Sequence, residues 1–127
     1  MTRALSIAAG GACGALLRYW VSTGVHALIG RDFPYGTLVV NVLGSLLIGA
    51  GYVLLFERLA VSDALRAALL IGLLGAFTTF STFSIETLTL VEAGERWKAV
   101  TNTVLSVVFC LLACWIGLGL ARQLWTP

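Results

Sequence analysis

Apolar residues along this chain fall into four long blocks separated by short charged joints. Leu5 to Ile29 is the first and carries one charge, Arg18. Gly36 to Phe56 carries none, Ala67 to Val91 carries Glu86, and Ala99 to Ala121 carries none. The joints hold Arg31 and Asp32, then Glu57, Arg58, Asp63 and Arg66, then Glu95, Arg96 and Lys98. Every block exceeds the roughly 20 residues that a helix needs to cross about 30 Å of hydrocarbon. The pattern predicts an all-α membrane protein. It would be a single domain over 1–127, with four transmembrane helices over about 5–29, 36–56, 67–91 and 99–121. Both termini would then lie on one side of the membrane.

Composition agrees: 59% of the 127 residues are hydrophobic and 11% are charged, which excludes a soluble domain of ordinary make-up. The first block is not expected to be a cleaved signal, because Arg18 stands where its apolar core would end and apolar sequence continues beyond. Cys13, Cys110 and Cys114 lie inside the spans without zinc spacing. Cys110 and Cys114, at i and i+4, share a helix face, and small packing residues are the expectation over a metal or redox pair. An enzyme is not expected: the sequence offers no nucleophile–base pair, cofactor motif or metal cluster, and His26 is alone.

The third block contains the run GAFTTFSTFS over residues 75–84, with hydroxyls at Thr78, Thr79, Ser81, Thr82 and Ser84 and rings at Phe77, Phe80 and Phe83. Glycine and threonine weaken a helix, and threonine hydroxyls compete for backbone carbonyls. A break between Gly75 and Thr79 would leave a short half of about 12 Å and a longer half of about 20 Å. Broken backbone at membrane depth persists only when buried in protein or lining a cavity. Freed carbonyls at one half-helix end suit a cation, and the N-terminus of the other half suits an anion. The phenylalanines, three apart, form a drifting stripe whose ring edges are electropositive. The alternative is a continuous helix whose hydroxyls bond back one turn while the rings pack against a neighbour.

Other polar residues sit at depth. Arg18 is costly unless it faces water or a partner, and in a vestibule it would attract anions. Asn41 offers amide donors either to a neighbouring helix or to a passing anion. Asn102 and Ser106 share one face of the fourth block. Glu86 is available to pair with arginine, cap a helix or carry protons. His26 is placed near an interface, and Trp97 and Trp125 suit interfacial anchoring.

Orientation is not fixed by charge. Arg3, Arg58, Arg66 and Arg122 fall on one side, and Arg31, Arg96 and Lys98 on the other, which is almost no bias. Two readings follow: a single orientation set by the first helix or a chaperone, or insertion both ways up, with two copies pairing antiparallel. Four helices fill their own core with side chains, so a water path would be built at an interface. Gly10 and Gly14 in the first block, and Ser45 and Gly49 in the second, offer small-residue contact faces.

At this point the sequence resembles the Fluc (CrcB) family of fluoride channels. The resemblance rests on Gly10, Gly11, Gly14, Arg18 and Tyr19; on Gly36, Thr37, Asn41, Gly44, Ser45 and Gly49; and on Gly75, Thr78, Thr79, Phe80, Ser81, Thr82, Phe83, Ser84 and Glu86. It covers essentially the whole chain, and the third-block motif is its most specific part. It implies a dual-topology antiparallel homodimer in the cell (inner) membrane, with two pores that let fluoride leave the cytoplasm. A structural sodium ion, not transported, would sit at the dimer centre on the backbone carbonyls of Gly75 and Thr78 of each chain. Asn41, Phe80, Phe83 and Ser106 would line the path with the hydroxyls of Thr79, Ser81 and Thr82, and Arg18 would stand in the vestibule. The expected partners are fluoride, a second copy and the lipid bilayer, with no nucleic acid. Two positions depart from the pattern: Asn102 stands where many members have tyrosine, and Cys110 replaces a polar residue of some members. The competing readings are a small dual-topology, proton-coupled exporter of cationic compounds, for which Glu86 would be the buried acid, and a scaffold without transport.

Overall fold

A computed structural model of the chain describes residues 2–124. Among these, α1 is Thr2–Ile29, α2 is Tyr35–Arg58, α3 covers residues 63–77, α4 is Phe80–Glu92 and α5 is Arg96–Leu124. With α3 and α4 taken as one interrupted span, Asp63–Glu92, four stretches are long and apolar enough to cross a membrane. The helices overrun the apolar blocks because polar residues at their ends continue the turns. Ser62 Oγ, for example, caps α3 by accepting from the Leu65 amide at 3.3 Å. The first half of the broken span is therefore longer than the sequence led us to expect. The last turns of α2, Val53–Arg58, and the middle of α3, Ala67–Leu74, widen to π-helical bonding. Arg66 Nε donates to the Leu55 carbonyl at 3.0 Å, tying the start of α3 to the wide end of α2.

One end of the bundle collects the start of α1, the end of α2, the start of α3 and the end of α5. Arg122 pairs with Glu57 at 2.9 Å, and Arg3 shares a cavity of about 180 Å³ with Phe56, Asp63 and Arg66. Up-and-down threading of four spans produces this arrangement.

The small-residue faces correct one expectation. A Cβ at Gly10 would collide with the Ala68 carbonyl, and one at Gly14 with the Leu73 carbonyl. One at Gly49 would strike the Cys114 carbonyl. These glycines seat α1 against α3 and α2 against α5 inside a single chain, and are not free to receive a second copy. In lipid the attraction between helices comes from close packing, so the smallest residues go where backbones approach most. Ser45 faces the cavity described below. Leu, Ile and Val side chains cover the outer surface, and Trp97 at the start of α5 is exposed, as an interfacial anchor would be. Trp125 lies outside the described residues.

Candidate ion pathway

The polar run unwinds at two residues. Thr78 (φ −78°, ψ 158°) and Thr79 (φ −152°, ψ 111°) are extended, so helix stops at Phe77 and resumes at Phe80. Competition for hydrogen bonds explains why. The Thr79 amide, which in a continuous helix would reach the Gly75 carbonyl, donates to Asn41 Oδ1 at 2.8 Å. Asn41 Nδ2 donates back to the Thr79 carbonyl at 3.0 Å. Thr79 Oγ1 then caps α4, accepting from the Thr82 amide at 3.1 Å and donating to Thr82 Oγ1 at 2.9 Å. Ser81 Oγ lies 3.3 Å from the same hydroxyl. Asn41 thus replaces a missing turn of backbone, and one N–H of its amide remains uncommitted by this pair of bonds.

Part of the alternative reading also holds. Thr78 Oγ1 bonds back to the Leu74 carbonyl at 3.0 Å, and Ser84 Oγ to the Phe80 carbonyl at 2.8 Å. The phenylalanines do not form one stripe, because the break separates them. Phe77 turns into the core beside Gly44, and Phe83 is buried, whereas Phe80 is 77% exposed. The Phe80 and Phe83 rings remain in contact, tilted by 46° with centroids 5.2 Å apart.

Beside the break lies a cavity of about 390 Å³. Asn41, Thr79, Phe80, Phe83 and Ser106 all line it. Ser106 is 7% exposed, and its hydroxyl has no hydrogen-bond partner. Thr82 lines a second cavity of about 270 Å³ together with Arg18, Ser22, Thr37 and Thr79. Ser81 lines neither and is exposed at the start of α4. Thr79 is therefore shared between the two spaces. Arg18, half-buried, points its Nη1 at the Thr78 carbonyl over a long 3.4 Å contact. A third space of about 300 Å³ near the other end brings Glu86 together with His26, Arg31 and Asp32, and Glu86 Oε2 is buried there without a partner.

The family model for CrcB-like protein, Camphor Resistance (CrcB), matches residues 5–118. The chain belongs to the CrcB family. A relative from Magnetococcus marinus, named fluoride-specific ion channel FluC, is 50% identical over 91% of this chain and 94% of its own length. One of the same name from Geobacter sulfurreducens is 50% identical over 98% and 100%. A third from Methylococcus capsulatus is 56% identical over 94% of this chain, which spans about half that relative's length, 52%. Membership and the four spans together make this a multi-pass membrane protein.

Asn102 and Cys110 have definite places. Asn102 is 1% exposed, and its Nδ2 donates to Thr87 Oγ1 at 2.9 Å. That hydroxyl donates in turn to the Phe83 carbonyl at 2.7 Å, so Asn102 ties α5 to the backbone that carries Phe83. Cys110 and Ser45 are further walls of the larger cavity. Sequence reasoning did not place either there, although the spacing contains the clue. Ser45 follows Asn41, and Cys110 follows Ser106, by four residues, one turn along the same face.

Proposed function

We propose that the chain is a fluoride-specific ion channel that lets cytoplasmic fluoride leave down its gradient and so limits its toxicity. The observation that carries this reading is the set of walls of the 390 Å³ cavity: an asparagine amide, threonine and serine hydroxyls and two phenyl rings, with no carboxylate. Fluoride is small and strongly hydrated, so a path for it must replace water with donors weak enough to release it. The Ser106 hydroxyl without a partner and the remaining Asn41 N–H are such donors, and ring edges add positive potential. The names borne by the relatives point to the same ion. Hydrogen fluoride crosses membranes uncharged and dissociates in a more alkaline cytoplasm, which gives an exit for the anion its use.

The working unit in this reading is an antiparallel homodimer in the inner membrane. An isolated chain leaves Gly75 and Phe80 uncovered at a backbone break, and such a break is stable at membrane depth only against protein or water. A second copy, inverted, supplies the cover. Sodium fits the same place. The Thr79 amide is diverted from the Gly75 carbonyl, and the Thr78 carbonyl keeps a lone pair beside its long contact with Arg18. Gly75 and Thr78 of two chains would hold a structural sodium ion by main-chain oxygen, and its charge would tie the two breaks together.

The test is fluoride release from liposomes loaded with potassium fluoride, read by a fluoride electrode after valinomycin is added, with chloride-loaded vesicles and Phe80→Ile alongside. Rapid release of fluoride but not chloride, lost in the variant, is the expected outcome. Well-folded protein that releases no fluoride would refute the channel and direct attention to proton-coupled cation export through Glu86.

A further inference from the structure

The large cavity contains a group that an anion path does not require, a thiol. Cys110 is a half-buried free cysteine on the α5 face that carries Ser106 one turn earlier, and both line the same space. The Ser106 hydroxyl beside it is more than nine-tenths buried and has no partner, so an oxygen donor already faces whatever occupies the cavity. Ile48, Val107 and Leu111 complete the wall with apolar surface.

We propose that Cys110 makes this cavity a binding site for thiophilic metal species, and that a metal held there obstructs the ion path. The second half of this proposal rests on the channel reading above; the first does not. A sulfur ligand selects soft metals over hard ones. The apolar wall admits a neutral species more readily than a bare cation. Methylmercury chloride has both properties. In the reaction the Cys110 thiol loses its proton to water, a sulfur–mercury bond forms, the mercury–chlorine bond breaks and chloride departs, with no change of oxidation state. The bound group lies between Ser106 and the Phe80 and Phe83 rings, across the space through which fluoride would pass. Cys114, one turn further along α5, is not among the cavity walls, and Cys13 is exposed on α1.

The experiment uses full-length protein in liposomes, with Cys13→Ser/Cys114→Ser as the single-thiol form and Cys110→Ser and Cys110→Ala as its counterparts. Each is treated with methylmercury chloride and read twice, by peptide mass spectrometry and by fluoride release before and after treatment. The single-thiol form should gain one methylmercury on the Cys110 peptide and fall to the release rate of protein-free vesicles, and excess dithiothreitol should restore it. The two Cys110 variants should keep whatever rate they had before treatment. An unlabelled Cys110 overturns the site. Complete labelling with the rate unchanged overturns the obstruction. Labelling of a protein that released no fluoride even before treatment leaves the thiol site standing and overturns the channel reading instead.

Discussion

Replacing Asn41 by leucine tests the join on which the break depends. The side chain is of similar size, so the loss is chiefly of two hydrogen bonds, at 2.8 and 3.0 Å, to the Thr79 amide and carbonyl. Interhelical bonds in membranes contribute about 0.6 to 2 kcal/mol each. Thr79 is 7% exposed, and a buried backbone group left without a partner costs about 1–3 kcal/mol. The chain has one escape, since the Thr79 amide can swing back to the Gly75 carbonyl and repair the helix. That relief leaves one orphaned group, the Thr79 carbonyl, for a net loss of about 1–3 kcal/mol, and withdraws the Gly75 oxygen from any ion. Equilibrium unfolding of the reconstituted protein in mixed detergent micelles reads the first effect, and fluoride release reads the second. Asn41→Asp keeps an acceptor for the Thr79 amide but turns its second oxygen toward the Thr79 carbonyl and places a carboxylate in the anion's path, so release should stop and some stability be lost as well. If Asn41→Leu were as stable as the parent and released fluoride equally fast, the Asn41–Thr79 join would not be what holds the break open.

Gly14→Val should force α1 away from α3, because even its Cβ would strike the Leu73 carbonyl. Loss of folded protein on size exclusion is expected, at a cost of more than about 3 kcal/mol, and a normal elution profile would contradict the packing. Asn102→Leu removes the bond to Thr87 and should cost about 1 kcal/mol in unfolding while loosening α4, read as faster amide exchange at residues near Phe83; unchanged exchange would deny the link. Phe80→Ile, at a residue 77% exposed in the single chain, should leave the unfolding midpoint of the protomer nearly unchanged while fluoride release is lost. A large fall in stability would make the ring structural. Extensively desalted protein should retain sodium, measured by atomic emission, at one ion per two chains; its absence would remove sodium from the proposal.

The four spans were legible because each depends on one quantity, the length of an apolar run, and lipid enforces it strictly. The position of the break was legible within a few residues, since glycine and threonine weaken helix wherever they cluster. What the run itself could not reveal was the partner of the break. Asn41 is 38 residues from Thr79, and nothing local indicates that its amide would bond the backbone of another helix rather than an ion. The glycine faces were misassigned for a related reason. A small-residue stripe states that a backbone comes close, but not whether that backbone belongs to the same chain. The fate of the phenylalanine stripe also depended on the break, because a three-residue period keeps a common face only while the helix is continuous. Ser106 was readable as a polar residue at depth, whereas the missing partner of its hydroxyl is a property of the surrounding α2 and α4 walls.

Thr79 shows why one break can serve two ions of opposite sign. Its amide, diverted to Asn41, is withheld from Gly75, which leaves carbonyl oxygen at the C-terminal end of α3. Its hydroxyl caps the first turn of α4, whose N-terminal end carries positive partial charge. On the proposed reading a cation is therefore favoured on one side of this residue and an anion on the other, within a single two-residue gap. Neither preference requires a charged side chain in the cavity wall, and a fixed charge there would bind a small ion too tightly to let it pass. On the proposed reading, the polar run at the centre of the third span lies in lipid because its hydrogen bonds are divided between holding the helix open and facing the ions that the opening admits.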